Sequence, residues 1–271
     1  MLEFKISDEE FILFKDFIYE QVGINLSNEK KTLVTSRLSK RLRHYSLGSF
    51  GEYFNIVVAS QPHGERQVVI DLLTTNETYF FREPKHFAFL EKEFLPNWRS
   101  PRPLRVWSAA SSTGEEAYSI AMLLDDMLEG KPWEIFGSDI SSRVLKTAQQ
   151  GHYQQNRIEG IPKAFLLKYC LKGKGEYLGT LLIDKQLRNK VTFSAVNLKR
   201  PLGNIGPFDI IFLRNVLIYF DTQTKQQIIK QLAEKLTPDG LLFIGHSESL
   251  KGIHGGLETV VPTVYRKTSG G

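Results

Sequence analysis

A chain of 271 residues, 41% apolar and 24% charged, has the length for one ordinary α/β domain plus a small companion and the composition of a globular protein, which excludes a disordered or fibrous chain. Its single cysteine, Cys170, excludes an internal disulfide and a cysteine-based zinc cluster, and none of its six histidines falls in an HExxH or similar spacing, so no metal site is expected. No stretch approaches the roughly 20 apolar residues of a membrane span and residues 1–8 carry no basic segment followed by an apolar run, so the expectation is a cytoplasmic monomer that does not insert into membranes.

From Ser7 to about Thr75 the pattern is helical throughout. Ser7-Asp8-Glu9-Glu10 is a capping box, after which Phe11, Phe14, Ile18 and Val22 recur at helical spacing until Gly23 supplies a stop. A second helix is predicted over 28–45, with Leu38 and Leu42 inward and Gly48 closing it, followed by two shorter helices over 50–59 and 64–73. Within 28–46, Lys30, Lys31, Arg37, Lys40, Arg41 and Arg43 stand against the single acid Glu29, an excess as large as the +5 of the whole chain. Arg37, Arg41 and His44 share one face of that helix. Most charge runs are solvated faces, yet this concentration favours an acidic partner. With Tyr45 as its one aromatic and no nucleic-acid signature, the helix fits an acidic protein surface better than nucleic acid.

From Leu104 the pattern changes to alternating strand and helix. Strands are predicted at 104–108, 133–138, 191–194, 208–213 and 241–245, and helices near 115–129, 141–150 and 222–236, which implies a mostly parallel sheet covered on both faces. Thr237-Pro238-Asp239-Gly240 is a turn that ends the last helix and launches the last of these strands. Residues 258–267, interrupted by Pro262, read as a closing hairpin. Between about 161 and 189 the alternation is broken by a small hairpin over 171–184 with a glycine-rich tip. A tolerated surface excursion and an edge for strand addition by a peptide both remain open for it.

The most informative stretch is 106–121, where Val106-Trp107-Ser108-Ala109 runs through Ser111-Ser112-Thr113-Gly114 into Glu115-Glu116: strand, glycine turn, helix. That is nucleotide-pocket geometry in an open α/β sheet. A helix N-terminus favours anions, but Glu115 and Glu116 already put negative charge there, so a pyrophosphate would be repelled. The ligand indicated is a nucleoside carrying positive charge, and S-adenosylmethionine, with its sulfonium, ammonium and ribose, fits better than NAD or ATP. A second acid, Asp139, ends the short strand Ile135-Phe136-Gly137-Ser138, 25 residues after Gly114, where it can accept from ribose hydroxyls. Taken singly, Glu115 and Glu116 are also ordinary first-turn acids and Asp139 an ordinary helix cap.

Five ordered motifs carry a family resemblance: 74–83 (Thr-Thr-Asn-Glu-Thr-Tyr-Phe-Phe-Arg-Glu), 106–121, 136–140, Arg214-Asn215-Val216-Leu217-Ile218-Tyr219-Phe220-Asp221, and 240–248 ending in His246-Ser247-Glu248. Over nearly its whole length the chain resembles the CheR family of chemotaxis receptor methyltransferases. The resemblance implies a Rossmann-like class I S-adenosylmethionine-dependent methyltransferase sheet with an N-terminal all-helical domain (1–75), a linker contributing to the active site (76–90), and a methyltransferase domain (91–271) bearing a small inserted β-subdomain (about 161–190). It implies transfer of methyl from S-adenosylmethionine to receptor glutamates, leaving S-adenosylhomocysteine and glutamyl methyl esters. By the same resemblance Asn76, Thr78 and Arg82 contact the cofactor and reaction centre, Glu116 takes the ammonium, Asp139 the ribose, Asn197 and Leu198 the adenine side, and Asn215 and Val216 the methionyl region. Arg82 and Tyr219 match the family's proposed catalytic side chains, the basic helix its receptor-facing element, and the hairpin a subdomain that in some members docks a receptor C-terminal peptide. Glu77 and Tyr79 depart from the smaller or apolar residues of some members. The competing readings are a nucleic-acid methyltransferase, against which stands the lack of an Asn-Pro-Pro-Tyr-like turn at 215–218, and a non-catalytic module that binds the cofactor as a ligand.

Overall fold

Ser7 Oγ accepts from the Glu10 backbone N–H at 3.1 Å while Glu10 Oε2 accepts from the Ser7 N–H at 2.9 Å, so the capping box forms and starts α1 (Asp8–Val22). The computed structural model describes residues 4–60, 64–253 and 255–268; of the N-terminal segment in which no leader pattern was found, residues 1–3 lie outside the described residues. Gly23 closes α1 at φ 82°. A 3₁₀ turn at Asn28–Lys30 leads into α2 (Lys31–Tyr45), and the left-handed residue that ends it is Ser46 (φ 54°), not Gly48. There the Ser46 and Leu47 N–H groups return to the Arg43 and Leu42 carbonyls, which satisfies the helix end without glycine. With α3 (Phe50–Ala59) and α4 (Glu65–Leu73), these helices bury Phe14, Leu38, Phe50 and Tyr53 in a core of their own.

After α5 (Pro84–Phe89) come β1 (Leu104–Ala109), α6 (Glu115–Met127), β2 (Trp133–Asp139), α7 (Ser142–Gln150), β3 (His152–Gln154), α8 (Lys163–Tyr169), β4 (Cys170–Lys172), β5 (Thr180–Ile183), α9 (Lys185–Arg188), β6 (Val191–Ala195), β7 (Phe208–Leu213), α10 (Thr222–Lys235), β8 (Leu236–Ile244), β9 (Leu257–Val261) and β10 (Val264–Lys267). The main sheet runs β6-β2-β1-β7-β8-β10-β9, parallel as far as β8 and antiparallel at β10 and β9. Every residue of β7 is buried, as a strand covered on both faces demands. Along β1, Leu104 and Val106 pack on the α6 side while Trp107 and Ala109 pack with β7 and α10. The order reverses between β1 and β7, which opens a crevice at their C-terminal ends.

Two local expectations change. Residues 237–240 form no separate turn before the strand: β8 pairs from Leu236, and the register jumps from Phe208↔Leu236 to Ile210↔Leu241, so they loop out as an irregularity within it, with Asp239 at φ 60°. The hairpin of β4 and β5 gains a third strand, β3, which precedes residue 161 and pairs with β5. This small sheet stays separate from the main one. The helical layer is bound to the sheet beside the crevice: Asp71 accepts from the Ser142 N–H and hydroxyl at 2.9 and 2.8 Å, and Tyr19 donates to Asp221 Oδ2 at 2.7 Å.

Candidate active site

The chain leaves β1 through a tight turn in which Ala110, Ser112 and Gly114 all have positive φ (60°, 49° and 94°). A Cβ on Gly114 would lie 2.9 Å from Ala148 Cβ, so this position needs glycine for both its conformation and its space. The turn aims the Ser112 N–H at Asp139 Oδ2 (2.9 Å) and the Ser112 hydroxyl at the Asn76 carbonyl (2.8 Å), tying together the ends of β1 and β2 and the 76–90 segment. The two acids that open α6 then part. Glu115 turns away to an ion pair with Arg157 at 2.6 Å, whereas Glu116 turns into the crevice.

The crevice, its open mouth included, takes in about 970 Å³ of space between the strand ends and the helical layer. Asn76, Thr78, Arg82, Glu116, Asp139, Asn197, Leu198, Asn215, Val216 and Tyr219 all line it. Val22, Ile24, Ile140, Val196 and Phe220 supply apolar wall, so the helical layer forms part of the lining.

Glu116 accepts from the Ser108 hydroxyl at 2.7 Å and pairs with Arg214 at 3.1 Å. Burial pushes its carboxyl above the ordinary range against the pull of Arg214 and Ser108, with Glu83 adding to the rise. Asp139 is likewise raised by burial, although the Ser141 and Ser112 N–H groups oppose it. Asn197 spends its amide group on the Gln21 carbonyl (2.8 Å) and its oxygen on the Lys199 N–H (3.0 Å). Tyr219 accepts the Asn25 N–H on its carbonyl at 2.8 Å and leaves its ring to the cavity. Arg82 donates to the Glu77 carbonyl at 3.0 Å and lies 5.6 Å from the Tyr79 ring centroid, with no carboxylate partner among the described residues. Among the described residues it makes no salt bridge, and its charge favours the ionised form of Glu116 across the cavity.

Three further residues build the site and were not singled out from the sequence. Arg214, following the apolar run of β7, bridges Glu83 and Glu116. Glu248 accepts from the Asn215, Leu217 and Gly245 N–H groups at 2.9, 2.8 and 2.6 Å, clamping the turn that presents Asn215 and Val216. A Cβ on Gly245 would lie 2.6 Å from Asn215 Nδ2, which explains that glycine. All three stand inside or beside quoted motifs, and the available signal was a charge set directly after a buried strand. Glu83, His86 and His246 also bring ligand-type atoms within 4.8 Å of one another. Both Glu83 oxygens, however, already accept from Arg214, Asn215 and the His246 N–H, so the cluster has no free carboxylate for a metal.

The donor set fits S-adenosylmethionine. Three acids, Glu77, Glu116 and Asp139, line the cavity, the buried Ser111 hydroxyl on its wall has no partner, and of the two arginines on its lining Arg214 is already paired with Glu83 and Glu116, so the described residues offer no cationic cradle for a polyphosphate. A seven-stranded methyltransferase-type sheet with this cleft at its switch point defines the molecule as an S-adenosylmethionine-dependent methyltransferase. Residues 76–265 match the CheR methyltransferase, SAM binding domain, and residues 9–74 the CheR methyltransferase, all-alpha domain. The chain is 41% identical over 263 residues to the chemotaxis protein methyltransferase of Escherichia coli K12, covering 96% of this chain and 91% of that protein. It is 42% identical over 251 residues to that of Salmonella typhimurium LT2, covering 92% and 86%, and 41% identical over 266 residues to chemotaxis protein methyltransferase 2 of Pseudomonas aeruginosa PAO1, covering 97% and 94%. The chain belongs to the CheR methyltransferase family.

Proposed function

We propose that this enzyme methylates glutamate side chains on the cytoplasmic part of chemoreceptors, forming glutamyl methyl esters. The observation that carries this reading is that one cavity joins a seat for a cation, Glu116 with Asp139, to an arginine, Arg82, that makes no salt bridge among the described residues. A glutamate is ionised at neutral pH, so its methylation needs no general base. When bound, S-adenosylmethionine would supply an electrophilic methyl to a carboxylate oxygen, the C–O bond forming as the S–C bond breaks and its electron pair leaves on sulfur. Arg82 receives the carboxylate and aligns it, Tyr219 shapes the methyl pocket, and the helical roof limits water. Water exclusion favours a step in which opposite charges cancel, and alignment contributes the rest.

The assignment of the other contacts follows the lining. Glu116 takes the ammonium and Asp139 the ribose; Asn76 and Thr78 close the linker side; Asn197 and Leu198 flank the adenine, Asn197 through its backbone because its side chain is engaged; Asn215 and Val216 border the methionyl chain. We divide the chain into a helical module (1–75), a linker (76–90) and a methyltransferase domain (91–271) with its β-insert. The receptor is engaged through the exposed Lys30, Lys40 and Arg43 of the basic segment, since Arg37 and Arg41 are bound within the protein. Exposed Leu171 on β4 and Leu178 in the connection from β4 to β5 support a docking role for a receptor tail peptide. The enzyme is taken to act as a monomer in the cytoplasm; no helix among the described residues is long and apolar enough to cross a membrane.

Incubation with methyl-labelled cofactor and receptor cytoplasmic fragments tests the reading. Base-labile label on glutamate is the expected result. Label on added nucleic acid, or none at all, replaces it with a nucleic-acid methyltransferase or a cofactor-binding module.

A further inference from the structure

Arg214 has 1% of its side chain exposed and makes three kinds of contact with one guanidinium. Nη1 lies 3.1 Å from Glu116 Oε2, Nε and Nη2 each lie 3.1 Å from Glu83 Oε2, and Nη2 donates to the Arg82 carbonyl. The last contact falls where the backbone is most constrained: Phe81 and Glu83, on either side of Arg82, have φ of 54° and 59°. Left-handed conformations at such residues persist only where the surroundings enforce them. Glu83 is fixed in turn by Asn215 Nδ2 and the His246 N–H at 3.2 and 3.1 Å, so the strained segment is fastened to the ends of β7 and β8.

We infer that Arg214 is a positioning residue that couples the two halves of the reaction, setting with one guanidinium both the carboxylate that receives the cofactor's ammonium and the backbone that presents Arg82 to the substrate. This deepens the methyl-transfer reading and rests on it. Arginine suits the role because its planar fork can address several acceptors at once, whereas a lysine ammonium is a single point charge. The charged groups that face Glu116 are Arg214 after β7 and Glu83 and Arg82 from the linker, with the neutral Ser108 hydroxyl from β1. Arg214 favours the ionised Glu116 and Glu83 disfavours it, so the two partners have opposite effects on one carboxylate.

That opposition gives a readout that loosened packing does not imitate. Calorimetric titration with S-adenosylhomocysteine as a function of pH is expected to show affinity falling as Glu116 becomes protonated. Arg214→Ala moves this acid limb to higher pH and Glu83→Gln moves it to lower pH. At saturating cofactor Arg214→Ala also lowers turnover on receptor fragments by at least roughly tenfold. Arg214→Lys restores the acid limb but not the turnover. An acid limb unmoved in Arg214→Ala, or displaced in the same direction by both variants, overturns the role. Should Arg214→Ala not fold by circular dichroism, Glu83→Gln decides alone: a downward displacement supports the coupling, and none overturns it. A wild-type protein that methylates no receptor glutamate overturns the proposed substrate, while the opposed displacements, read on binding alone, still judge Arg214.

Discussion

The two ends of β7 each hold charge out of water, to different ends. At the N-terminal end Asp209 accepts from both Arg102 Nη atoms (2.8 and 2.5 Å), the Arg105 N–H (2.9 Å) and the Thr237 hydroxyl (3.0 Å), which uses its acceptor capacity fully. At the C-terminal end Arg214 joins two acids beside the crevice, and one of those acids stays above its ordinary pKa. Buried charge is therefore no guide to function by itself. What separates the two ends is spare capacity: the first is saturated by the fold, the second leaves Glu116 and Arg82 facing open space.

The largest effect that tests this contrast is expected at the saturated end. Asp209→Ala removes an acid on which four donors converge and should cost about 3 kcal/mol of stability, read as a lowered chemical-denaturation midpoint. S-adenosylhomocysteine affinity of the folded protein should stay unchanged, and a loss of affinity would erase the distinction between the two ends. Glu116→Gln reverses the pattern, with cofactor binding weakened roughly 10- to 30-fold, about 1.4–2 kcal/mol, and the unfolding midpoint of the free protein held or raised. Arg82→Ala sharpens it further. Turnover should fall at least roughly tenfold, about 1.4 kcal/mol of barrier, with cofactor affinity kept within a few fold. Equal turnover in a methylation assay removes Arg82 from the catalytic group.

Where a feature lies within one segment, the sequence displayed it. The Ser7–Glu10 capping box, the apolar runs of β1 and β7 and the acid-bearing glycine turn at Gly114 are local patterns, and all are present in the structure. The Arg214 hub joins residues 83, 116 and 214, and its meaning depends on a distance that no spacing encodes. A strand of three residues, β3, is too short to show alternation and was missed for that reason. The basic helix shows a different limit. Arg37 and Arg41 share a face and were read with His44 as part of a partner surface, but charge type does not reveal whether a side chain turns outward or back onto its own chain. Arg37 donates to the Leu72, Leu73 and Thr74 carbonyls, capping the end of α4 just before the linker, and Arg41 grips Glu65 through Nε and Nη2.

Arg41 and Glu65 make a third charged centre, and they are the smallest test of the contrast. Burial works against the Glu65 carboxylate, but hydrogen bonds from Tyr53, Arg41 and Tyr45 outweigh it and hold its pKa below the ordinary value. A carboxyl lowered in the folded state adds stability that is complete above its unfolded pKa, about 4.3, and disappears as pH falls through the folded value. Glu65→Gln should therefore cost about 1 kcal/mol at neutral pH, with the gap to the wild type constant from pH 8 to about 5 and closing below about 4.3. Cofactor affinity should not follow it. A gap that widens on acidification would mean that Glu65 is ionised at a cost, which would class this centre with Glu116 and not with Asp209.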